Sequence, residues 1–144
     1  DDVLVPVADR PESLKTTFDL MIPILDFSAG FRTGNVELLR ANSAREFSQF
    51  VWNVTNTIPA LPFDPQKHFR QPLRKVNITG DRAWISLGSE HYGARVELHK
   101  ERDRYTINDV ELISGPEPQQ RAWLKRSLRT LLAQDQQKLK PLNN

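Results

Sequence analysis

The chain contains no cysteine among its 144 residues. Disulfide bonds, thiolate nucleophiles and cysteine-ligated zinc sites are therefore excluded. The three histidines are not spaced as a metal site. His68 lies in a proline-rich segment, and His91 and His99 would lie about 26 Å apart along one extended strand. We therefore predict no metal and no cofactor.

Long apolar runs and a strong charge imbalance are also missing. No run approaches the ~20 residues that span a bilayer, and a formal net charge of +2 gives no electrostatic footprint for nucleic acid. The sequence has no H-x-x-x-H, phosphate-binding glycine loop or G-x-S-x-G motif, which argues against hydrolases and nucleotide-binding proteins. The chain begins at Asp1 rather than Met, as a processed or exported protein would, and no compartment is assigned.

The first half of the chain has helical periodicity. Residues 1–10 are predicted to be a lead-in segment, and the pattern Asp9–Glu12 resembles a helix start. Pro23 is predicted to kink or break this first helix, and a short helix is predicted at 36–41 after Asn35. The apolar face of the first helix is predicted to comprise Leu14, Phe18, Met21, Ile22 and Leu25.

A further helix is predicted to begin at the capping-box pattern Ser43–Glu46. Trp52 lies off its apolar stripe, so we predict a rim or interface position for that residue. Three prolines then predict an irregular loop over 60–72. If the helix packs on the sheet through Phe50, a Phe50→Ala change should cost roughly 3–5 kcal/mol. The predicted stripe is Phe47, Phe50, Val51, Val54 and Ile58.

Residues 76–112 predict an antiparallel meander with a tight hairpin turn at Thr79–Arg82. In the last strand, Tyr105 and Ile107 have the opposite parity to Val110 and Leu112. A β-bulge at 108–109 would return both pairs to the core face. A final helix is predicted over 116–137, followed by a tail at 138–144. The predicted inward set of the middle strands is Ala83, Ile85, Leu87, Tyr92, Ala94, Val96 and Leu98.

This order predicts an α+β fold, with N-terminal helices on the concave face of a curved antiparallel sheet and an added C-terminal helix. Three segments carry a resemblance to the nuclear transport factor 2-like superfamily, which includes the SnoaL-like cones. Phe31–Leu39 resembles its helix joint, Ile78–Ile85 its "v-x-G-D-x-A-x-v" hairpin, and Tyr105–Leu112 its "W-x-I-x-D-v-x-L" strand, with Tyr105 in place of Trp. The resemblance covers Pro11 to Ile113, predicts a domain over 11–115 and implies a cone with a pocket at its wide end.

The superfamily includes dehydratases, isomerases, cyclases, binding proteins and transport factors, so the resemblance leaves the function open. It implies that Tyr92, Asp109 and Tyr105 line the pocket. If the bulge turns Asp109 inward, burial would raise its pKa and make it a candidate base, with Tyr92 as a hydrogen-bond donor. The favoured interpretation is that Asp109 fixes the bulge. We therefore predict a non-catalytic domain that binds a small apolar ligand or a partner protein, with a dehydratase or isomerase as the alternative.

The outer face of the sheet is predicted to be an interface. Trp84, Arg95 and Glu97 lie there, and an aromatic residue among charges is typical of a covered surface. Either a second subunit or the C-terminal helix with Trp123 would cover them. A homodimer is therefore expected, and a protein-interaction module acting through this face is a further alternative. The basic final helix also fits a membrane-surface helix, although packing within the domain is favoured.

Overall fold

The computed structural model describes the backbone of residues 11–139 and the side chains of residues 14–135. The predicted lead-in segment and the end of the tail lie outside these residues. Helices are α1 (Pro11–Thr33), α2 (Val36–Ala41), α3 (Arg45–Phe50), α4 (Pro65–Phe69) and α5 (Leu124–Leu139), with 3-10 turns at Trp52–Val54 and Pro118–Gln120. Strands are β1 (Leu73–Thr79), β2 (Arg82–Gly88), β3 (Gly93–Glu101), β4 (Arg104–Ile113) and β5 (Arg121–Trp123).

The strands form one curved antiparallel sheet in chain order, so the predicted α+β fold with a C-terminal helix is confirmed. Gly80 has a φ of 61° in the β1–β2 turn, a conformation that favours glycine. The predicted β-bulge is also confirmed. Glu97 pairs with Asp109 while Leu98 pairs with Ile107, which leaves Asn108 as the extra residue.

The predicted apolar face of α1 is wrong. Leu14, Phe18, Ile22 and Leu25 are exposed. The buried face is about 140° away around the helix and comprises Leu20, Ile24 and Phe27. Of the kink or break predicted at Pro23, the break is wrong, because α1 is continuous from Pro11 to Thr33. Burial of the Pro23 ring beside Ile24 offsets the single hydrogen bond that the proline removes.

The helix predicted after Ser43 is shorter than its apolar spacing suggested. It ends at Phe50, and a 3-10 turn follows. The buried face here comprises Ala44, Phe47, Ser48 and Val51, and Phe50 lies off that face. Phe50 and Val54 are 44% and 42% exposed, whereas Trp52, predicted to lie at a rim, is fully buried. The capping-box prediction is wrong, since the N-cap is Ala44. The Ser43 hydroxyl instead donates to the Leu39 carbonyl at 2.6 Å and accepts the Trp52 indole N–H at 2.8 Å.

Two other boundaries differ from the predictions. The segment 60–72, predicted to be irregular, contains α4, which Asp64 caps by accepting the Gln66 N–H at 2.9 Å. The final helix begins at Leu124 rather than at 116, because the intervening residues form a 3-10 turn and the short strand β5. The predicted helix at 36–41 is confirmed, with the Asn35 side chain accepting the Leu38 N–H at 3.1 Å.

The core lies between the helices and one face of the sheet. Its sheet side holds Ala83, Ile85, Leu87, Ala94, Val96 and Leu98, all buried as predicted. Aromatic side chains from the helices pack against them in the same cluster, with ring centroids of neighbours 5.3–6.5 Å apart. These aromatic residues are Phe27, Phe31, Phe47, Trp52 and Phe69. The space that the cone hypothesis reserves for a ligand therefore contains large protein side chains.

Candidate functional site

A cleft of about 480 Å³ lies beside the bulge of β4 and is lined by residues of β3, β4, β5, α3 and α5. It brings together three of the predicted site residues, Asp109, Glu97 and Trp123. Sequence reasoning missed the other four residues that line it. These are Glu46 and Phe50 of α3 and Lys125 and Arg126 of α5.

Strand register explains why two carboxylates share this cleft. Glu97 and Asp109 are direct partners across β3 and β4. Their neighbours Val96 and Val110 pair in the core, and side chains alternate between the two faces of a sheet. Glu97 and Asp109 therefore lie on the outer face. To act as a base inside the cone, Asp109 would have to face the concave side of the sheet. The bulge does not turn it that way.

The Asp109 carboxylate accepts hydrogen bonds from nearby backbone N–H groups. Its Oδ1 accepts the N–H of Val110 at 2.8 Å and the N–H of Lys125 at 3.1 Å. The second bond satisfies a donor in the first turn of α5, so a strand residue caps the C-terminal helix. Burial raises the pKa of the Asp109 carboxyl, while the two backbone N–H groups and the Lys125 charge act in the opposite direction. The expected backbone hydrogen bonds are present, and neither uses Oδ2.

Glu97 lies beside Asp109 in a second set of polar contacts. Its Oε1 accepts the Asn108 side-chain N–H at 3.1 Å, and its Oε2 lies 3.2 Å from His99 Nε2. The Glu97 side chain is mostly buried. Asn108 Oδ1 is buried and has no hydrogen-bond partner among the described residues. Of these residues Glu97 lines the cleft, where its carboxylate lies beside that of Asp109.

The outer walls of the cleft are aromatic and basic. Phe50 and the half-buried Trp123 supply apolar surface. Lys125 Nζ forms an ion pair with Glu46 at 3.1 Å, which links α5 to α3. Arg129 lies 5.7 Å from the centre of the Phe50 ring on the same side of α5. Among the charged residues that line the cleft, Lys125 and Arg126 are the basic ones beside the carboxylates of Glu46, Glu97 and Asp109, and Lys125 is paired with Glu46.

The structure does not bring the other predicted ligand-lining residues to this cleft. Tyr92 precedes β3 and stacks on His68 with ring centroids 4.9 Å apart. Its neighbour Gly93 pairs with Ile113, about 13 Å along β4 from Asp109. The proposed pair of Asp109 as base and Tyr92 as donor is therefore not assembled.

Tyr105 lies near the opposite hairpin, with Lys100 Nζ 5.8 Å from its ring centre. A separate cleft of about 340 Å³ between this hairpin and α1 includes Tyr105. Tyr92, Asp109 and Tyr105 thus occupy three different places in the molecule.

Trp84 and Arg95 form their own contact on the outer sheet face. The Arg95 guanidinium lies 4.5 Å from the Trp84 ring centre, a cation–π distance. Arg95 Nε also lies 3.8 Å from a Glu111 carboxylate oxygen. Trp84 therefore receives cover from a neighbouring strand of its own chain, an arrangement that the sequence analysis did not consider.

Comparisons with protein-family models, curated proteins and solved structures found no match. Within residues 14–135, no group of histidine and carboxylate side chains is arranged to hold a metal ion. Over the described helices, none combines the length and apolar character needed to cross a membrane. Function must therefore be argued from the cleft itself.

Proposed function

We propose that the chain is a non-catalytic, nuclear transport factor 2-like domain that binds a small ligand in the Asp109 cleft. The ligand carries a positively charged nitrogen on an apolar body. Three observations support the family. The junction of α1 and α2 lies within the Phe31–Leu39 segment, and the β1–β2 hairpin turns at Gly80 within the Ile78–Ile85 segment. The bulge lies within the Tyr105–Leu112 segment. A cone-shaped domain with helices inside the curved sheet fits this arrangement.

The main support for a cationic, partly apolar ligand is that the neighbouring carboxylates of Glu97 and Asp109 share the cleft with the aromatic side chains of Phe50 and Trp123. Cations bind carboxylates through charge-assisted hydrogen bonds and bind the faces of aromatic rings. Phe50 is 44% exposed, so an apolar ligand body would bury surface that now contacts water. Asp109 Oδ2 is not used by either of the two backbone hydrogen bonds, which leaves an acceptor for the ligand.

Two rival functions have less support. A purely apolar ligand on the concave face would have to displace the packed aromatic residues Phe27, Phe47 and Trp52, which are fully buried. A dehydratase or isomerase needs a base and a group that stabilises developing charge near one substrate. Tyr92 and Asp109 are too far apart to act together, and Asp109 already caps α5. Binding is therefore favoured over catalysis.

The test is an NMR titration of the ¹⁵N-labelled protein with three matched probes: phenethylammonium, the neutral phenethyl alcohol and the anionic phenylacetate. Saturable shifts are expected at the amides of Val110 and Lys125 with the ammonium probe. Asp109→Asn and Glu97→Gln should each weaken that binding about tenfold, because each removes one charged acceptor. Glu111→Gln is the matched control on the same sheet face, outside the residues that line the cleft. Equal affinity for the ammonium and the alcohol would refute the proposal.

A pH titration gives an independent check. Burial raises the pKa of Asp109, and protonation removes the charge that the ligand would meet. Affinity for phenethylammonium should therefore fall as the pH decreases through that raised pKa. In Asp109→Asn this pH dependence should be reduced. Affinity that stays constant down to pH 4 would mean that Asp109 does not contact the ligand.

A further inference from the structure

The outward side of α1 carries a row of large apolar side chains. Phe18 is 63% exposed, Leu25 59%, Ile22 53% and Leu14 36%. A surface helix normally has one apolar face, which packs on the core. In α1 that face is formed by Leu20, Ile24 and Phe27, so the exposed row is a second apolar face. Contiguous exposed apolar surface of this kind marks an interaction site.

We infer that α1 packs antiparallel against α1 of a second copy of this chain. The exposed row, called the α1 stripe, comprises Leu14, Phe18, Ile22 and Leu25. Its midpoint lies between residues 19 and 20. A twofold axis there places Leu14 opposite Leu25 of the second copy, and Phe18 beside Ile22 of the second copy. Spacings of three and four residues let such rows interdigitate, and one patch serves both copies, as twofold symmetry requires.

The charges beside the stripe fit the antiparallel direction. Lys15, Asp19 and Asp26 follow one another on the same flank of the stripe, between about 100° and 140° around the helix from Leu14. In an antiparallel pair, each flank faces the same flank of the other copy. Lys15 then lies next to Asp26 of the second copy, and the contact occurs twice. Asp19 lies near the twofold axis and faces Asp19 of the second copy, so one repulsion offsets part of the two attractions. Within one chain, Lys15 pairs with Asp19 at 3.1 Å, and both side chains are exposed.

The size of the stripe predicts a weak dimer. At the stated exposures, its four side chains present roughly 400 Å² per copy and about 800 Å² per pair. This is about two-thirds of the ~1,200 Å² at which stable specific interfaces begin, and it falls in the size range of weak, transient contacts. Flanking atoms of Met21 and Lys15 would add to this area. A dissociation constant on the order of 1–100 μM is expected. This inference does not rest on the Asp109 cleft, because α1 contributes no residue to it.

Sedimentation equilibrium of the full chain from about 1 μM to 1 mM tests the inference. A monomer–dimer equilibrium is expected. Phe18→Asp should raise the dissociation constant at least tenfold, since it places a charge in the centre of the stripe. Val54→Asp is the control, because Val54 is an exposed apolar residue (42%) outside the stripe. A chain that stays monomeric at 1 mM would overturn the inference.

Charge exchange tests the direction of packing. Lys15→Asp should weaken the dimer several-fold, and adding Asp26→Lys should restore it, since the exchanged pair would again attract. Failure of the second change to restore affinity would overturn the antiparallel arrangement. Trp84→Glu separates this surface from the predicted outer-sheet interface. If Trp84→Glu dissociates the dimer and Phe18→Asp does not, the α1 stripe is not the interface.

Discussion

Removing the Asp109 carboxylate should detach the start of α5 from the sheet. Its Oδ1 accepts two backbone N–H groups, at 2.8 Å from Val110 and 3.1 Å from Lys125. Asp109→Ala leaves both donors without that acceptor. Loss of a helix cap costs about 1 kcal/mol, and a half-buried donor left unpaired adds about 1 kcal/mol more. We expect a total loss of about 2 kcal/mol in the free energy of unfolding.

Asp109→Asn is the matched control because its side-chain oxygen can accept both N–H groups. It should retain most of the stability, whereas Asp109→Ala should not. Urea unfolding at pH 7, followed by circular dichroism, measures the difference. Hydrogen exchange at the Lys125 amide should also accelerate in Asp109→Ala and stay slow in Asp109→Asn. A loss below about 0.5 kcal/mol in Asp109→Ala would refute the capping role.

The direction of the Asp109 pKa shift predicts how the stabilities of the wild type and Asp109→Asn depend on pH. Burial raises the pKa of Asp109 above its ordinary 3.8, so the folded state holds the proton more tightly than the unfolded state. Its contribution to stability is complete below pH 3.8 and is lost as the pH rises through the folded pKa. The stability of Asp109→Asn relative to the wild type should therefore increase over that rise. A decrease would show that the two backbone hydrogen bonds outweigh desolvation.

Two further predictions concern the core and α4. Phe47→Ala should lower the free energy of unfolding by roughly 3–5 kcal/mol and Phe50→Ala by only about 1 kcal/mol, because Phe47 is fully buried and Phe50 is 44% exposed. Equal losses in urea unfolding would contradict the placement of α3. Burial lowers the pKa of His68, so wild-type stability should fall as the pH decreases below 6.5 through the folded pKa. His68→Gln should reduce that slope in pH-dependent unfolding, and an unchanged slope would contradict the prediction.

The strands were predictable from the sequence because their signal is local. Alternation over 76–87 and the glycine at the hairpin turn define β1 and β2 without knowledge of the rest of the chain. The change of parity between Ile107 and Val110 predicts the bulge, since both residues can reach the core only if one residue is unpaired. Strands β1–β4 therefore follow from local patterns, whereas β5 lies in a segment that was predicted to be helical.

The cleft was only half predictable, for a physical reason. The sequence points to Asp109 because it is a carboxylate at a predicted bulge. It points to Glu97 and Trp123 because they are charged or aromatic residues predicted at the outer face of the sheet. Phe50 seemed to belong to the core, because its spacing from Phe47 and Val54 is helical. The structure instead buries Ala44, Phe47, Ser48 and Val51, and the buried indole of Trp52 donates to the Ser43 hydroxyl at 2.8 Å, a tertiary contact. Sequence periodicity does not contain that information.

The first helix shows the same limit in a form that bears on function. Its exposed row and its buried row are both apolar and both follow helical spacing, so periodicity alone cannot tell which of them faces the core. The structure assigns Leu20, Ile24 and Phe27 to the core, because those side chains reach the aromatic cluster over the sheet. If folding alone selected the residues of α1, polar side chains would serve at positions 18, 22 and 25. The second apolar row fits the inference that α1 packs on two sides, once within its own chain and once against a second copy.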